Sequence, residues 1–268
     1  MNATAILQAQ ELAYSYAPSA PNIFSGLSAD FIPAQFTGLL GANGAGKSTL
    51  LRLLAGLRQP NSGQVLLKGK PLSNYSIKQR AQNIAFVPQN INCDLAFTCR
   101  EIVAMGRFHA RSWHRWQASS SEAALVERCL RDTHTEHLAD RLITQISGGE
   151  AQRIFIAQAL AQEAQILILD EPTSHLDIKH QVEIMELVSS LCAKRSLCAI
   201  AALHDLNLAA QYCQRLLILS EQRLLCDASP SEALTPDTIK NVFGVKAYVA
   251  SDAEGRMQIA IRRADHRN

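Results

Sequence analysis

The sequence predicts an α/β fold, a largely parallel sheet whose strands are covered on both faces by helices, and three observations predict it. Continuous apolar runs at 166–169, 197–203 and 216–219 have the length and composition of strands buried on two sides. Helical segments at 180–193 and 206–213 lie between those runs, at the spacing of right-handed crossover units. A glycine-rich loop joins an apolar strand at 36–40 to a leucine-rich helix at 48–55.

In chain order, residues 5–12, 36–40 and 64–68 are short apolar runs bounded by turn residues and read as strands. Gly56 and then Pro60 stop the helix at 48–55. Residues 84–87 form a further strand, ended by Pro88. From Thr98 to Gln162 the pattern is mainly helical, with one helix at 98–105. Residues 108–117 are aromatic and basic without a clear period. Ser119 and Glu122 make a capping box for a helix at 123–131. Strands and helices alternate again from Gln165, and a tail at 228–268 holds a helix started by Pro236 and a final short strand.

Composition narrows the function. The chain has 268 residues, 47% hydrophobic and 19% charged, enough for one large α/β domain with a sizeable core. A net charge of +2 without a long basic tract gives no case for nucleic-acid binding. No apolar run reaches the ~18 residues of a membrane-spanning helix, and no basic region precedes an apolar block at the N-terminus, so neither a span nor a signal peptide is expected. Contact with a membrane would then go through a partner. The seven cysteines are scattered, odd in number and without C-x-x-C spacing, which reads as reduced, buried, small apolar residues of a cytoplasmic protein.

Gly41-Ala42-Asn43-Gly44-Ala45-Gly46-Lys47-Ser48-Thr49 matches G-x-x-x-x-G-K-[ST] in full. Glycines let backbone N–H groups turn inward toward phosphates, and the helix that follows aims its positive end at the same anion. Lys47 supplies a charge for the β- and γ-phosphates, and Ser48 a hydroxyl oxygen for magnesium. The loop implies a nucleoside triphosphate without saying which machine uses it.

The buried strand at 166–169 leads into Asp170 and Glu171. Ligands of open α/β sheets bind at that strand edge. The first carboxylate can hold magnesium and the second can take a proton from an attacking water.

Ile146-Ser147-Gly148-Gly149-Glu150-Ala151-Gln152-Arg153 is a second anion-binding arrangement. Ser147 and Glu150 form a capping box, and Gly148 and Gly149 expose backbone N–H groups at the start of a helix at 150–162. Here the chain resembles the ATP-binding cassette (ABC) family, whose signature is L-S-G-G-[QE]. The resemblance runs over nearly the whole chain in the right order. Ile146 and Ala151 depart from the commonest signature, and the stretch 17–22 lengthens the loop after Tyr16.

The resemblance implies a RecA-like phosphate-loop core with N-terminal antiparallel β strands and an inserted α-helical subdomain. The core would comprise 1–89 and 163–227, the helical signature subdomain 90–162 and the tail 228–268, all within one ABC ATPase domain. ATP and Mg2+ are the implied cofactors. Tyr16 stands about where the family stacks an aromatic ring on adenine; a strand-end tyrosine packed in the core is the other reading. Gln89 matches the glutamine loop that ligates magnesium and water, residues 174–177, ending in Asp177, match the loop that crosses between subunits, and His204 matches the histidine that contacts the γ-phosphate. Two copies would face head to tail, each ATP lying between the phosphate loop of one copy and Ser147, Gly148 and Gly149 of the other.

The stretch 97–107, reading F-T-C-R-E-I-V-A-M-G-R, is similar to that of ATPases serving iron-siderophore, haem and cobalamin importers. So are 204–210 and the tail around Thr235 and 242–245. This implies an importer subunit on the cytoplasmic face of the inner membrane, working with two membrane-spanning permease subunits and, through them, a substrate-binding protein. Permeases would dock at about 90–117. Trp113 and Trp116 either anchor that interface or pack the subdomain. A soluble cassette, such as an iron–sulfur assembly factor, is the rival reading. A GTPase is disfavoured by the lack of an N-K-x-D string.

Overall fold

The computed structural model describes residues 4–17, 19–89, 96–110 and 120–262. The chain begins with β1 (Leu7–Tyr14), β2 (Phe24–Phe31) and β3 (Phe36–Gly41), followed by α1 (Lys47–Leu54), β4 (Ser62–Leu67) and the short β5 (Lys70–Pro71). Next come α2 (Ile77–Ala81), β6 (Ile84–Val87) and three helices, α3 (Cys99–Met105), α4 (Ser120–Asp132) and α5 (Gly148–Ala161). The alternation resumes with β7 (Ile166–Leu169), α6 (Ile178–Arg195), β8 (Cys198–Ala202), α7 (Leu206–Tyr212), β9 (Arg215–Ser220) and β10 (Arg223–Ala228). The last elements are α8 (Pro230–Ala233), α9 (Pro236–Phe243), β11 (Lys246–Ser251) and β12 (Met257–Arg262).

The central sheet has the order β10-β9-β3-β8-β7-β6, parallel throughout except for β10. Its strands read as unbroken apolar runs because both faces are buried. On β7, Ile166 and Ile168 enter one core and Leu167 and Leu169 the other; on β9, Leu217 and Leu219 oppose Leu216 and Ile218 in the same way. One core lies against α1 and an antiparallel sheet of order β2-β1-β4-β5. The other holds α6 and the inserted helices. Truncating one of these leucines to alanine costs about 2–5 kcal/mol.

Arg215 ties the two sheets together. From β9 it pairs with Asp227 of β10 at 2.5 Å, donates to the Asp30 carbonyl of β2 and lies 5.9 Å from the Phe31 ring.

Four strands escape the sequence pattern: β2, the two-residue β5, β10 and one strand of the tail. β2 exposes one face to solvent and β10 alternates along an edge, so neither shows an apolar run. The tail's single expected strand is a hairpin of β11 and β12. β1 starts and ends two residues later than 5–12, and register shifts around Glu11, at φ 48°, break its period of two. Thr98 caps α3 through a reciprocal bond with Glu101. The Ser119 half of the second box lies outside the described residues. Five of the cysteines are fully buried, and burial pushes the Cys192 and Cys198 thiols up to about 12. Among the described residues no helix is long and apolar enough to cross a membrane.

Candidate functional site

The loop after β3 closes over itself. Lys47 is almost fully buried, and its Nζ donates to the carbonyls of Gly41 at 2.8 Å and Ala42 at 3.3 Å. Burial pulls its pKa down, and the charges of Glu171 and Asp170 partly restore it. Gly46 caps α1 in the left-handed region, at φ 93°, with no side-chain cap on the helix's first N–H groups. A Cβ there would also collide with the Phe24 ring. The uncapped turn faces a cleft of about 360 Å³ lined by Tyr16, residues 43–49, Glu171 and His204.

Tyr16 is 54% exposed and is held at the cleft by its hydroxyl, 2.7 Å from Thr49 Oγ1. Its ring meets Tyr14 edge-on at 5.3 Å, and the Arg58 guanidinium lies 5.0 Å from its centroid. The strand-end tyrosine in the core is Tyr14, and Tyr16 is not a core residue.

The end of β7 supplies the acids. Asp170 is 1% exposed and accepts from Ser48 Oγ at 2.7 Å. Burial and the neighbouring Glu171 charge push its carboxyl up, against the pull of Ser48, Arg52 and Lys47. Its Oδ2 is buried without a hydrogen-bond partner, and Arg52 stands 3.8 Å away. An orphaned anionic oxygen beside a serine hydroxyl fits the donor chemistry of a hard divalent cation.

Glu171 is built differently. Its backbone sits in the left-handed region at φ 51°, a strain of about 1–3 kcal/mol that sites retain when surroundings over-determine them. The carboxylate is gripped by His204 Nε2 at 2.6 Å, Gln89 Nε2 at 2.5 Å and Ser174 Oγ at 2.9 Å. Burial raises its pKa, but the bonds from His204 and Ser174 and the charges of His204 and Lys47 outweigh it and hold the carboxyl below its ordinary value. Two adjacent carboxyls are therefore pushed in opposite directions, Asp170 chiefly by burial and Glu171 by its bonds to His204 and Ser174.

Ser147, Gly148, Gly149 and Glu150 do not line this cleft. Ser147 accepts from the Glu150 amide at 3.3 Å and gives its hydroxyl hydrogen to Glu150 Oε2 at 2.8 Å. Asp177 joins this group, because it caps α6 and holds His180 Nδ1 at 2.8 Å, while the His180 ring fills the space a Cβ on Gly149 would need. Sequence reasoning missed His180, Arg52 and the bond from Ser174 to Glu171; an i,i+3 Asp–His pair at a helix start was the one readable signal. A larger cleft of about 780 Å³ between α4, α5 and α6 is occupied by self-paired charges, Arg153 with Glu183 and Arg195 with Asp132.

An open parallel sheet that delivers a phosphate loop and an acidic pair to one edge makes this a phosphate-loop nucleoside triphosphatase. The family is narrower: residues 24–174 match the ABC transporter family, and the chain belongs to it as an ATP-binding subunit whose hydrolysis of ATP is coupled to transport. The hemin import ATP-binding protein HmuV of Pseudomonas putida is 40% identical over 237 residues, 86% of this chain and 90% of that one. The ferric enterobactin transport ATP-binding protein FepC of Escherichia coli is 38% identical over 227 residues, 84% and 83% of the two chains. Among solved structures, an ABC transporter in an inward-facing conformation superposes with a TM-score of 0.85 at 27% identity, covering 97% of this chain and 98% of that one. The ATP-binding cassette MJ0796, solved as a dimer after hydrolysis with ADP and Pi, gives 0.72 at 25% identity, over 84% and 98%.

Proposed function

We propose that this chain powers the uptake of a ferric siderophore. The observation that carries the hydrolytic part is the Glu171 carboxylate, ionised, aimed by His204, Gln89 and Ser174, and placed beside the phosphate loop. Likeness to FepC and to the 97–107 stretch of chelate importers supports the cargo. Likeness to HmuV favours haem as the second reading.

In this reading Tyr16 stacks on adenine, residues 41–49 wrap the phosphates, and Lys47 turns from Gly41 and Ala42 to the β- and γ-phosphates. Ser48, Asp170 and Gln89 would hold magnesium, which supplies charge neutralisation on the phosphates. Glu171 takes the proton of the attacking water, and His204 contacts the γ-phosphate. Ser147, Gly148, Gly149 and Glu150 do not line their own cleft, which supports a head-to-tail pair in which they close on the partner's nucleotide, with Asp177 at the boundary; that MJ0796 was solved as a dimer supports pairing. ATP then acts as a bridge that hydrolysis removes, a switch between two states.

The core at 1–89 and 163–227 would be the rigid part, 90–162 the signature subdomain and 228–268 a tail. Two permease subunits would dock at about 90–117 from the cytoplasmic face of the inner membrane, serving a substrate-binding protein. Of that surface, 90–95 and 111–117, with Trp113 and Trp116, lie outside the described residues.

Deleting the gene and restoring it tests the proposal. The unaltered chain should restore growth on a ferric siderophore as sole iron source, and Glu171→Gln should not. Restoration on haem alone overturns the cargo, and failure to co-purify with any membrane subunit overturns the importer.

A further inference from the structure

Two stretches singled out in the sequence, 204–210 and the tail, meet in the fold. Asn207, in the first turn of α7, donates from Nδ2 to the Ile259 carbonyl at 3.1 Å and accepts at Oδ1 from the Ile259 amide at 2.8 Å. One side chain thereby satisfies both backbone groups of a strand residue, as a third strand would. Ile259 itself is 6% exposed and belongs to the core that holds Leu206 and Leu208.

Each partner needs the other. A helix of 7 residues is marginal in isolation, and so is a two-stranded hairpin. The start of α7 is also the start of the site. Asp205 caps the helix, accepting from the Leu208 amide at 2.9 Å, and His204 directly precedes it with Nε2 2.6 Å from Glu171.

We propose that Asn207 is a positioning residue: by clamping the β11–β12 hairpin to α7, it fixes the first turn of that helix and so holds the His204 imidazole against Glu171. The tail is on this account part of the hydrolytic apparatus, although none of its described residues lines the cleft. The inference rests on the roles of His204 and Glu171 given above.

Asn207→Leu keeps the branching at Cγ, raises the helix propensity and deletes both bonds. Amide exchange across β11 and β12 should quicken by ~10-fold or more, in line with two lost hydrogen bonds. Steady-state kcat for ATP should fall by roughly 10-fold with KM within about 2-fold, and the pH profile of kcat should change shape, which lost stability alone does not produce. Asn207→Asp suits a first helical turn, keeps the acceptor and loses the donor, so it should fold and fall between the two. Faster hairpin exchange with kcat and its pH profile unchanged overturns the inference, and so does unchanged exchange. Glu171→Gln measured alongside separates the failures: turnover surviving in that variant sinks the reading of Glu171, whereas an inactive Glu171→Gln beside a normal Asn207→Leu sinks only the clamp.

Discussion

His204 Nε2 lies 2.6 Å from Glu171 Oε1, while Gln89 Nε2 reaches the other carboxylate oxygen at 2.5 Å. Strands β6, β7 and β8 thus converge on one carboxylate from three adjacent positions of the sheet. Glu171→Gln keeps the shape and removes the proton acceptor. ATP affinity should hold while phosphate release falls by ~100-fold or more; an unchanged rate removes Glu171 as the base.

Against burial, which raises it, the bonds from His204 and Ser174 and the charges of His204 and Lys47 hold the Glu171 carboxyl below the ordinary 4.5. A depressed folded pKa contributes stability that is complete above the unfolded value and is lost as pH falls through the lower folded one. Turnover loss between pH 5 and 7 therefore belongs to another group. His204→Ala should move the Glu171 carboxyl titration upward when followed by carbon NMR, and no movement would show that the histidine does not brace it.

Asp170 has the opposite sign. Its carboxyl is raised above 3.8, chiefly by burial. The unfolded chain releases that proton first, so stability falls as pH rises from 3.8, and at neutral pH the charge costs stability. Asp170→Asn should raise the melting temperature of the nucleotide-free protein by ~2–4 °C for each kcal/mol relieved, while losing magnesium-dependent nucleotide binding. A lower melting temperature would mean that the bond to Ser48 outweighs the burial cost.

Gly149 and His180 are packed too closely for a Cβ between them. Alanine ordinarily stabilises a helix relative to glycine by ~1 kcal/mol. Here Gly149→Ala should destabilise instead, and His180→Ala in the same chain should restore the loss. Thermal melts of the double-mutant cycle check this; additive effects would refute the contact.

Ser147→Arg puts a long cation where the proposed partner nucleotide arrives. Scattering in ATP with Glu171→Gln as background should show dimers for the parent and monomers for the double variant. Persistent dimers would end the shared-site arrangement.

Much of this was legible beforehand, for physical reasons. The strands β3, β7, β8 and β9 announce themselves because both faces are apolar, and the loop 41–49 because its glycines and Lys47 have few other uses together. Ser147 and Glu150 were readable as a cap because capping is local, within one turn. β2 and β10 were hidden because each spends half its residues on solvent. His180 against Gly149, and Asn207 against Ile259, were out of reach because each joins elements whose meeting depends on the folded topology, and neither side chain is unusual for its place in the chain.

Arg215 has a mechanical consequence. With one guanidinium held by β10 and by the backbone of β2, the layer that presents Tyr16 is bolted to the sheet that presents Lys47 and Glu171. Tyr16 and the phosphate loop are thereby held at a fixed spacing across the cleft.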